Sequence, residues 1–246
     1  YLTFYFQGEP FINKHFLRMV KYASDRKIFT ATSTNAHFID TKIAEEIIHS
    51  GLDHLIISMD GTTQEVYEQY RVNGHLDKVL QGTENIIAAK KRLNSATPKV
   101  IFQFLVVKHN EHQIDDLHQL ADKMGVDQVA LKTAQVYAYK NGSSLFPTNE
   151  KYSRYKKNKQ GFFEIKNKLR NHCWRLWHST VITWDGDLVP CCFDKDAKYK
   201  MGTLENQSFK EIWHDETYKS FRNSIIQSRK NIDICQNCTE GTKVWM

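Results

Sequence analysis

The five cysteines of this sequence are confined to its C-terminal third. They are Cys173, Cys191, Cys192, Cys235 and Cys238. Thiolates ligate both zinc ions and iron–sulfur clusters, and the two-residue gap of the CxxC at the end lets both of its sulfurs face one metal or cluster. An odd number of cysteines without a secretory signal argues against a disulfide framework and favours metal ligation or free thiols.

The elements predicted around the cysteines would bring four of them together. The stretch STVITWDGDLVPCC (179–192) predicts a β-hairpin, because apolar residues alternate on either side of Asp185-Gly186. This hairpin would deliver Cys191, and the segment before it would deliver Cys173. A hairpin, a helix at 215–227 and a CxxC form too small a core to be very stable alone, and metal ligation is a usual remedy.

Spacing does not decide which metal the thiols would hold. Four soft ligands can surround either a zinc ion or an iron–sulfur cluster. The whole set is still a more specific signal of a metal site than a lone CxxC, because it combines defined spacings between Cys173, Gly186 and Cys191 with the distal CxxC. The role of Cys192 stays open, since a small buried apolar residue explains it equally well.

The sequence before residue 150 alternates strand and helix patterns. Four segments of helical period separate five predicted strands, which are 2–6, 28–33, 54–59, 100–107 and 128–133. Asp40 is expected to cap the second helix, and Gly51 and Gly125 are expected to follow the second and fourth. This alternation predicts an α/β fold with a parallel sheet, open or closed as a barrel, whose functional edge lies at the C-terminal ends of the strands.

Polar residues and glycines follow the predicted strands. They are Gln7-Gly8-Glu9-Pro10, Thr34-Asn35, Ser58 to Gly61, Lys108 to Asn110 and Lys132-Thr133. Turn chemistry explains each position alone, but together on one rim they favour a binding site. Tyr137 and Tyr139 follow the last strand and would either line its entrance or pack internally.

Composition fits one large and one small soluble domain. The 246 residues are 41% hydrophobic and 25% charged, with a net charge of +6, and no apolar run approaches the roughly 20 residues of a membrane span. We expect a cytoplasmic protein divided into 1–150, a linker at 151–170 and a cysteine-rich domain at 171–246. The basic run KYSRYKKNKQ (151–160) is interpreted as a solvated linker, and nucleic acid is not the expected partner.

The C-terminal pattern resembles the SPASM domain of radical SAM enzymes. The resemblance rests on WDGDLVPCC, GTLENQSFKEIW (202–213), CQNC and the Cys173 to Cys191 spacing. It implies one auxiliary [4Fe-4S] cluster bound by Cys173, Cys191, Cys235 and Cys238. Fuller versions of the domain carry more cysteines and two clusters.

The N-terminal region is similar to the radical SAM fold, a partial (β/α)6 TIM-like barrel, here lacking its first strand. QGEP resembles the GGE motif of that family, which holds the amino group of S-adenosylmethionine, although Gln7 replaces a glycine. SMDG, YEQYRVNG (67–74) and VVKHNEH (106–112) extend the resemblance. The cofactor-binding residues it implies are Gln7, Gly8, Glu9, Pro10, Asn35, Ser58, Asp60, Arg71 and Lys132.

The family's CxxxCxxC, which binds the catalytic [4Fe-4S] cluster, has no counterpart here, because no cysteine precedes Cys173. We therefore expect the printed chain to be inactive in radical chemistry, and we expect the first strand and cluster loop to lie upstream rather than to be truly lost. No catalytic side chain is assigned.

The resemblance implies that the complete enzyme cleaves S-adenosylmethionine reductively and abstracts hydrogen from a peptide or protein side chain. A flavodoxin or ferredoxin would donate the electron. Two other hypotheses stay open. One is a zinc-stabilised, non-catalytic binding module with RNA as its candidate ligand, and the other is a barrel aldolase or epimerase with Lys132 as a Schiff-base lysine.

Overall fold

Parallel strands and covering helices form the N-terminal part of the chain. The computed structural model describes residues 1–241, which divide into two compact units: Tyr1–Ala134 with Gly142–Ser153, and Gln135–Asn141 with the residues from Arg154 onward. The first unit contains β1 (Leu2–Thr3), α1 (Phe16–Ser24), β2 (Thr30–Thr34), α2 (Thr41–Ser50), β3 (His54–Ser58), α3 (Gln64–Tyr70), α4 (Leu76–Arg92), β4 (Lys99–Val106), α5 (Ile114–Met124) and β5 (Gln128–Thr133).

The five strands form one parallel sheet in the order β1-β2-β3-β4-β5. The central strands β3 and β4 carry the core, in which Leu55, Ile57, Phe102 and Phe104 are fully buried. This sequential order confirms the predicted α/β fold, because right-handed crossovers place consecutive parallel strands side by side. Every strand therefore ends at the same edge of the sheet.

Local signals fix the helix ends as predicted. The Asp40 carboxylate accepts a hydrogen bond from the Ile43 backbone N–H at 2.7 Å, and Gly51 and Gly125 end α2 and α5 in the left-handed conformation. Within α4, Gly82 allows a close approach that any side chain would block, since a Cβ there would lie 2.2 Å from the carbonyl oxygen of Ala36. The segment after β2 thus packs directly on the helix backbone.

The second unit is built from short strands and three helices. Its elements are β6 (Tyr155–Lys157), β7 (Phe163–Ile165), β8 (Val181–Ile182), β9 (Asp187–Val189), β10 (Gly202–Thr203), α6 (Phe209–His214), α7 (Glu216–Ser228) and α8 (Asp233–Gln236). The predicted hairpin is confirmed: β8 pairs antiparallel with β9 across Gly186, and β10 adds a third strand. A small core of Leu176, Leu188, Ile212, Tyr218 and Ile225 lies beneath it.

Three features differ from the sequence predictions. The segment 151–170, predicted as a linker, contains the antiparallel pair β6–β7, and the second unit begins at Arg154 and takes in Gln135–Asn141. Helix α3 was not predicted, because only Val66 and Tyr67 of its seven residues are buried and it shows little apolar period. Strand β1 is limited to two residues. Residues 242–246 of the predicted C-terminal domain lie outside the described residues.

Candidate functional site

The carboxylate of Glu9 joins the ends of the first two strands. Its Oε1 accepts hydrogen bonds from Thr34 Oγ1 at 2.7 Å and from the backbone N–H of Phe11 at 3.2 Å, and its Oε2 accepts one from the backbone N–H of Asn35 at 2.8 Å. A carboxylate offers about four acceptor positions. Three are used within the protein, so Glu9 is both fixed in place and able to accept one more donor.

Asp60 ties the end of β3 to β4. Its side chain is 2% exposed; Oδ1 accepts the backbone N–H of Leu105 at 2.8 Å, and Oδ2 accepts Arg71 Nε at 2.6 Å. Asn110 donates to the carbonyl oxygens of both Asp60 and Leu105. Burial disfavours the Arg71 charge, but the Asp60 carboxylate outweighs that effect and raises the Arg71 pKa. The structure thus gives Asp60 a clamping role and leaves part of the Arg71 guanidinium exposed.

The other predicted cofactor contacts occupy the same sheet edge without forming one cluster. Gln7 and Gly8 are exposed, Pro10 begins a single 3-10 turn that Glu9 caps, and Ser58 is buried at the end of β3. Lys132 is exposed near the end of β5. The structure joins Glu9 with Asn35 and Asp60 with Arg71, whereas the exposed Lys132 does not lie in a buried pocket of the kind that a Schiff-base lysine occupies.

Two buried polar atoms near Asp60 have no hydrogen-bond partner among residues 1–241. They are Tyr67 Oη and His109 Nε2. Burial raises the pKa of Tyr67 to about 12 and lowers the pKa of His109. Both follow β3 or β4 at the edge where the predicted contacts lie. His109 belongs to the polar stretch Lys108 to Asn110 and Tyr67 to YEQYRVNG (67–74), but the sequence assigns neither a role of its own, because a tyrosine at helical spacing and a histidine in a β-α loop carry no specific signal.

The second unit holds the predicted metal ligands around one cavity. The cavity has about 350 Å³ of space not filled by atoms, a volume that includes the part open to solvent. Its lining includes the four thiols of Cys173, Cys191, Cys235 and Cys238. Cys173, Cys235 and Cys238 are each less than 9% exposed. All five cysteines are free, and Cys192 is the exposed one, outside the cavity lining.

The donor set fits an iron–sulfur cluster better than a single ion. Across residues 1–241, no three Cys, His, Asp or Glu side chains converge as the ligands of one metal ion would. Zinc needs its sulfurs about 2.3 Å from a common centre, whereas a [4Fe-4S] cluster is held by four cysteine thiolates, each on its own iron. The cavity is lined by four soft thiols among apolar and charged side chains, and four such thiols are the ligand set of a cluster.

Burial disfavours the thiolate form of three cavity cysteines, Cys191, Cys235 and Cys238. It raises the pKa of Cys191 and Cys238, and it raises the pKa of Cys235 to about 12. Metal ligation requires the thiolate, so loading would release protons. One sulfur already has a backbone partner, since the N–H of Glu240 donates to Cys238 Sγ at 3.3 Å.

Two arginines and one glutamate in the cavity wall were not found from the sequence. Arg229 is fully buried, and Arg175 pairs with Glu240 at 3.3 Å. Burial opposes the Arg175 charge, but the nearby Cys192 and Glu240 hold its pKa above its usual value. The sequence places Arg229 in the polar run QSRKN (227–231), which is typical of an exposed helix end.

Neighbouring residues hold the CxxC and Cys173 in place. Asn237, inside the CxxC, accepts a hydrogen bond from Tyr155 Oη at 2.9 Å and donates to the carbonyl oxygen of Val136 at 2.8 Å. Gly241 lies so near Cys173 that a Cβ on it would be 2.4 Å from the Cys173 sulfur. The ligand positions therefore depend on β6, on the segment before it and on a glycine after the CxxC.

Two family models match the chain. The Radical SAM superfamily matches residues 2–121, and the SPASM iron-sulfur cluster-binding domain matches residues 173–239. The second match spans all four cavity thiols, and the first spans Glu9 and the Asp60–Arg71 pair. S-adenosylmethionine and [4Fe-4S] clusters, the cofactors implied by the resemblance, are those of the matched families.

Two curated proteins align with nearly all and about half of the chain, respectively. A tungsten-containing aldehyde ferredoxin oxidoreductase cofactor-modifying protein of Pyrococcus furiosus is 25% identical, covering 94% of this chain and 71% of its own length. Mycofactocin maturase MftC of Mycobacterium ulcerans is 32% identical over 48% of this chain and 30% of its own.

The fold is also that of a solved enzyme. SuiB of Streptococcus suis, crystallised with its precursor peptide SuiA, superposes with a TM-score of 0.63 at 15% identity, covering 87% of this chain and 54% of SuiB. Within residues 1–241, every helix is too short or too polar to cross a bilayer. The sequence matches thus identify a radical SAM region at residues 2–121 and a SPASM region at residues 173–239.

Proposed function

We propose that this chain is part of a radical SAM maturase that modifies a side chain of a peptide or protein. The observation that carries the proposal is the cavity surrounded by four cysteine thiols within the SPASM match. The relatives support the substrate class, since one is a maturase and SuiB was crystallised with a precursor peptide. This chain spans 30% of MftC and 54% of SuiB.

In this proposal, Cys173, Cys191, Cys235 and Cys238 hold an auxiliary [4Fe-4S] cluster. When bound there, the cluster would supply a site for the substrate electron or for ligation of the substrate. The chain's own contribution is to present four thiols on one cavity, three of them on buried residues, with the Glu240 N–H donating to the Cys238 sulfur. Hydrogen bonds to cluster sulfurs and exclusion of solvent are the means by which proteins set cluster potentials.

At the sheet edge, Glu9 and its neighbours would hold the methionyl end of S-adenosylmethionine. Glu9 is fixed by three donors and has one acceptor position left for the cofactor ammonium. Asn35 and Ser58 lie at the ends of β2 and β3, and Arg71 presents the exposed part of a guanidinium oriented by Asp60. Reductive cleavage of this cofactor supplies the radical that abstracts hydrogen.

The proposed electron donor and cellular compartment are those that suit a protein with iron–sulfur chemistry and free thiols. A flavodoxin or ferredoxin is the proposed electron source, and the five free thiols suit a reducing cytoplasm. The expectation that residues 1–246 alone are inactive stays a prediction, because it depends on ligands that these residues do not contain.

The test uses the coding region together with its upstream sequence. Anaerobically reconstituted enzyme, S-adenosylmethionine and dithionite should yield 5′-deoxyadenosine, measured by mass spectrometry, and E9Q should lower the yield at least tenfold. Peptides encoded by flanking short reading frames then test the substrate class by mass change. One zinc per chain that persists through iron and sulfide treatment, with no nucleoside product, would instead support the zinc-stabilised module.

A further inference from the structure

The cavity wall contains a buried positive charge that the thiols alone do not require. Arg229 is fully buried and lines the same cavity as Cys235 and Cys238. Its Nη1 donates to the carbonyl oxygen of His172 at 2.9 Å, and its Nη2 donates to that of Glu240 at 2.8 Å. These bonds fix the guanidinium but do not neutralise it.

One donor of this guanidinium is left over. Within residues 1–241, Arg229 Nε is buried and has no hydrogen-bond partner. The other arginine of the wall, Arg175, pairs with Glu240, so the acidic side chain of the cavity is already engaged. A buried charge and a buried donor without a partner both cost free energy. A negatively charged acceptor would compensate the charge and accept a hydrogen bond from the donor.

A [4Fe-4S] cluster with four thiolates meets this need. It carries net negative charge, and reduction adds one more unit. A fixed cation in a low-dielectric wall favours the more negative, reduced form. We propose that Arg229 is a positioning residue that offsets the charge of the auxiliary cluster and raises its reduction potential. This inference rests on the proposed cluster assignment.

A matched arginine in the same unit provides the control. Arg222 also donates to backbone carbonyls, those of Leu176 and Trp213, and it stacks on two aromatic rings. It is absent from the cavity lining. Removing Arg222 therefore tests for a general structural effect of losing a carbonyl-bonded arginine near the site.

The experiment measures the midpoint potential of the reconstituted 246-residue chain, whose cysteines can hold only the auxiliary cluster. In R229M the equilibrium constant for reduction should fall about tenfold or more, which is about 59 mV to more negative potential for one electron. R229K, which keeps the charge, should stay close to the unsubstituted protein, and R222M should not shift. An unchanged potential in iron-replete R229M, or an equal shift in R222M, would overturn the proposal.

Loss of the cluster is also informative. If R229M holds no iron but R229K does, retention depends on the charge and the proposal stands. If neither variant holds iron while both remain folded by circular dichroism, or if both unfold, Arg229 serves only as a carbonyl clamp and the electrostatic role is wrong. If the unsubstituted chain takes up no iron and sulfide, the cluster assignment itself has failed, which iron analysis shows separately from any potential.

Discussion

The Asp60–Arg71 clamp predicts an unequal response to removing either partner. In D60A, the Leu105 N–H loses its acceptor, which costs about 1–3 kcal/mol. Arg71 is 36% exposed on its side chain, so it regains water and adds about 0–1 kcal/mol. In R71M, the 2% exposed Asp60 carboxylate keeps the Leu105 N–H but loses its cation, and stranding a buried charge costs about 3–5 kcal/mol.

The double variant D60A/R71M separates this account from simple additivity. It carries no stranded charge, so its cost should return to about 2 kcal/mol, near that of D60A and below that of R71M alone. The exposed pair Arg92–Glu45 provides the control, and R92M should cost at most about 1 kcal/mol.

The assay is urea unfolding followed by far-ultraviolet circular dichroism, with free energies compared at a common slope. All five tryptophans lie from Trp174 onward, so tryptophan fluorescence follows the second unit separately. The clamp would be refuted if R71M lost less unfolding free energy than D60A. It would also be refuted if the loss in the double variant equalled the sum of the two single losses.

Three further variants test other contacts. G241A should reduce iron bound per reconstituted chain at least twofold by displacing the Cys173 sulfur, whereas G161A, with a similar positive φ and open space around it, should bind iron normally; equal iron contents would contradict this. Y155F should lower the unfolding free energy of the second unit by about 1–3 kcal/mol, because Asn237 Oδ1 loses its donor and the Val136 N–H loses its acceptor. An unchanged fluorescence transition would count against these two hydrogen bonds. T34V removes a donor to the Glu9 carboxylate and should cost about 1–2 kcal/mol by circular dichroism; no loss would show that the carboxylate is held otherwise.

Much of the fold could be predicted from local signals. Period-2 and period-3.6 patterns located the five strands of the sheet, and Asp40, Gly51 and Gly125 marked helix ends because capping depends on short-range chemistry. The hairpin at Gly186 followed from its turn residues for the same reason. Helix α3 could not be predicted, since only two of its seven residues are buried and its sequence therefore shows little apolar period.

Site residues could be predicted from the sequence only where the residue type itself indicates the chemistry, as it does for cysteine. Cysteine spacing pointed to four thiols around one centre, and the structure places all four on one cavity. The roles of Arg229 and Asn237 depend on long-range contacts, with partners as distant as Val136 along the chain. Asp60 was predicted at the right edge, but its two internal partners come from β4 and the end of α3, which sequence alone does not pair.

The central claim is that Cys173, Cys191, Cys235 and Cys238 together bind one [4Fe-4S] cluster. Anaerobic reconstitution of the 246-residue chain, with iron and sulfide analysis and electron paramagnetic resonance of the reduced sample, tests it directly. We expect about four irons and four sulfides per chain, lost when any one of these cysteines is changed to serine and kept in C192S. A single tightly held zinc, or a cluster that survives C191S but not C192S, would contradict the account.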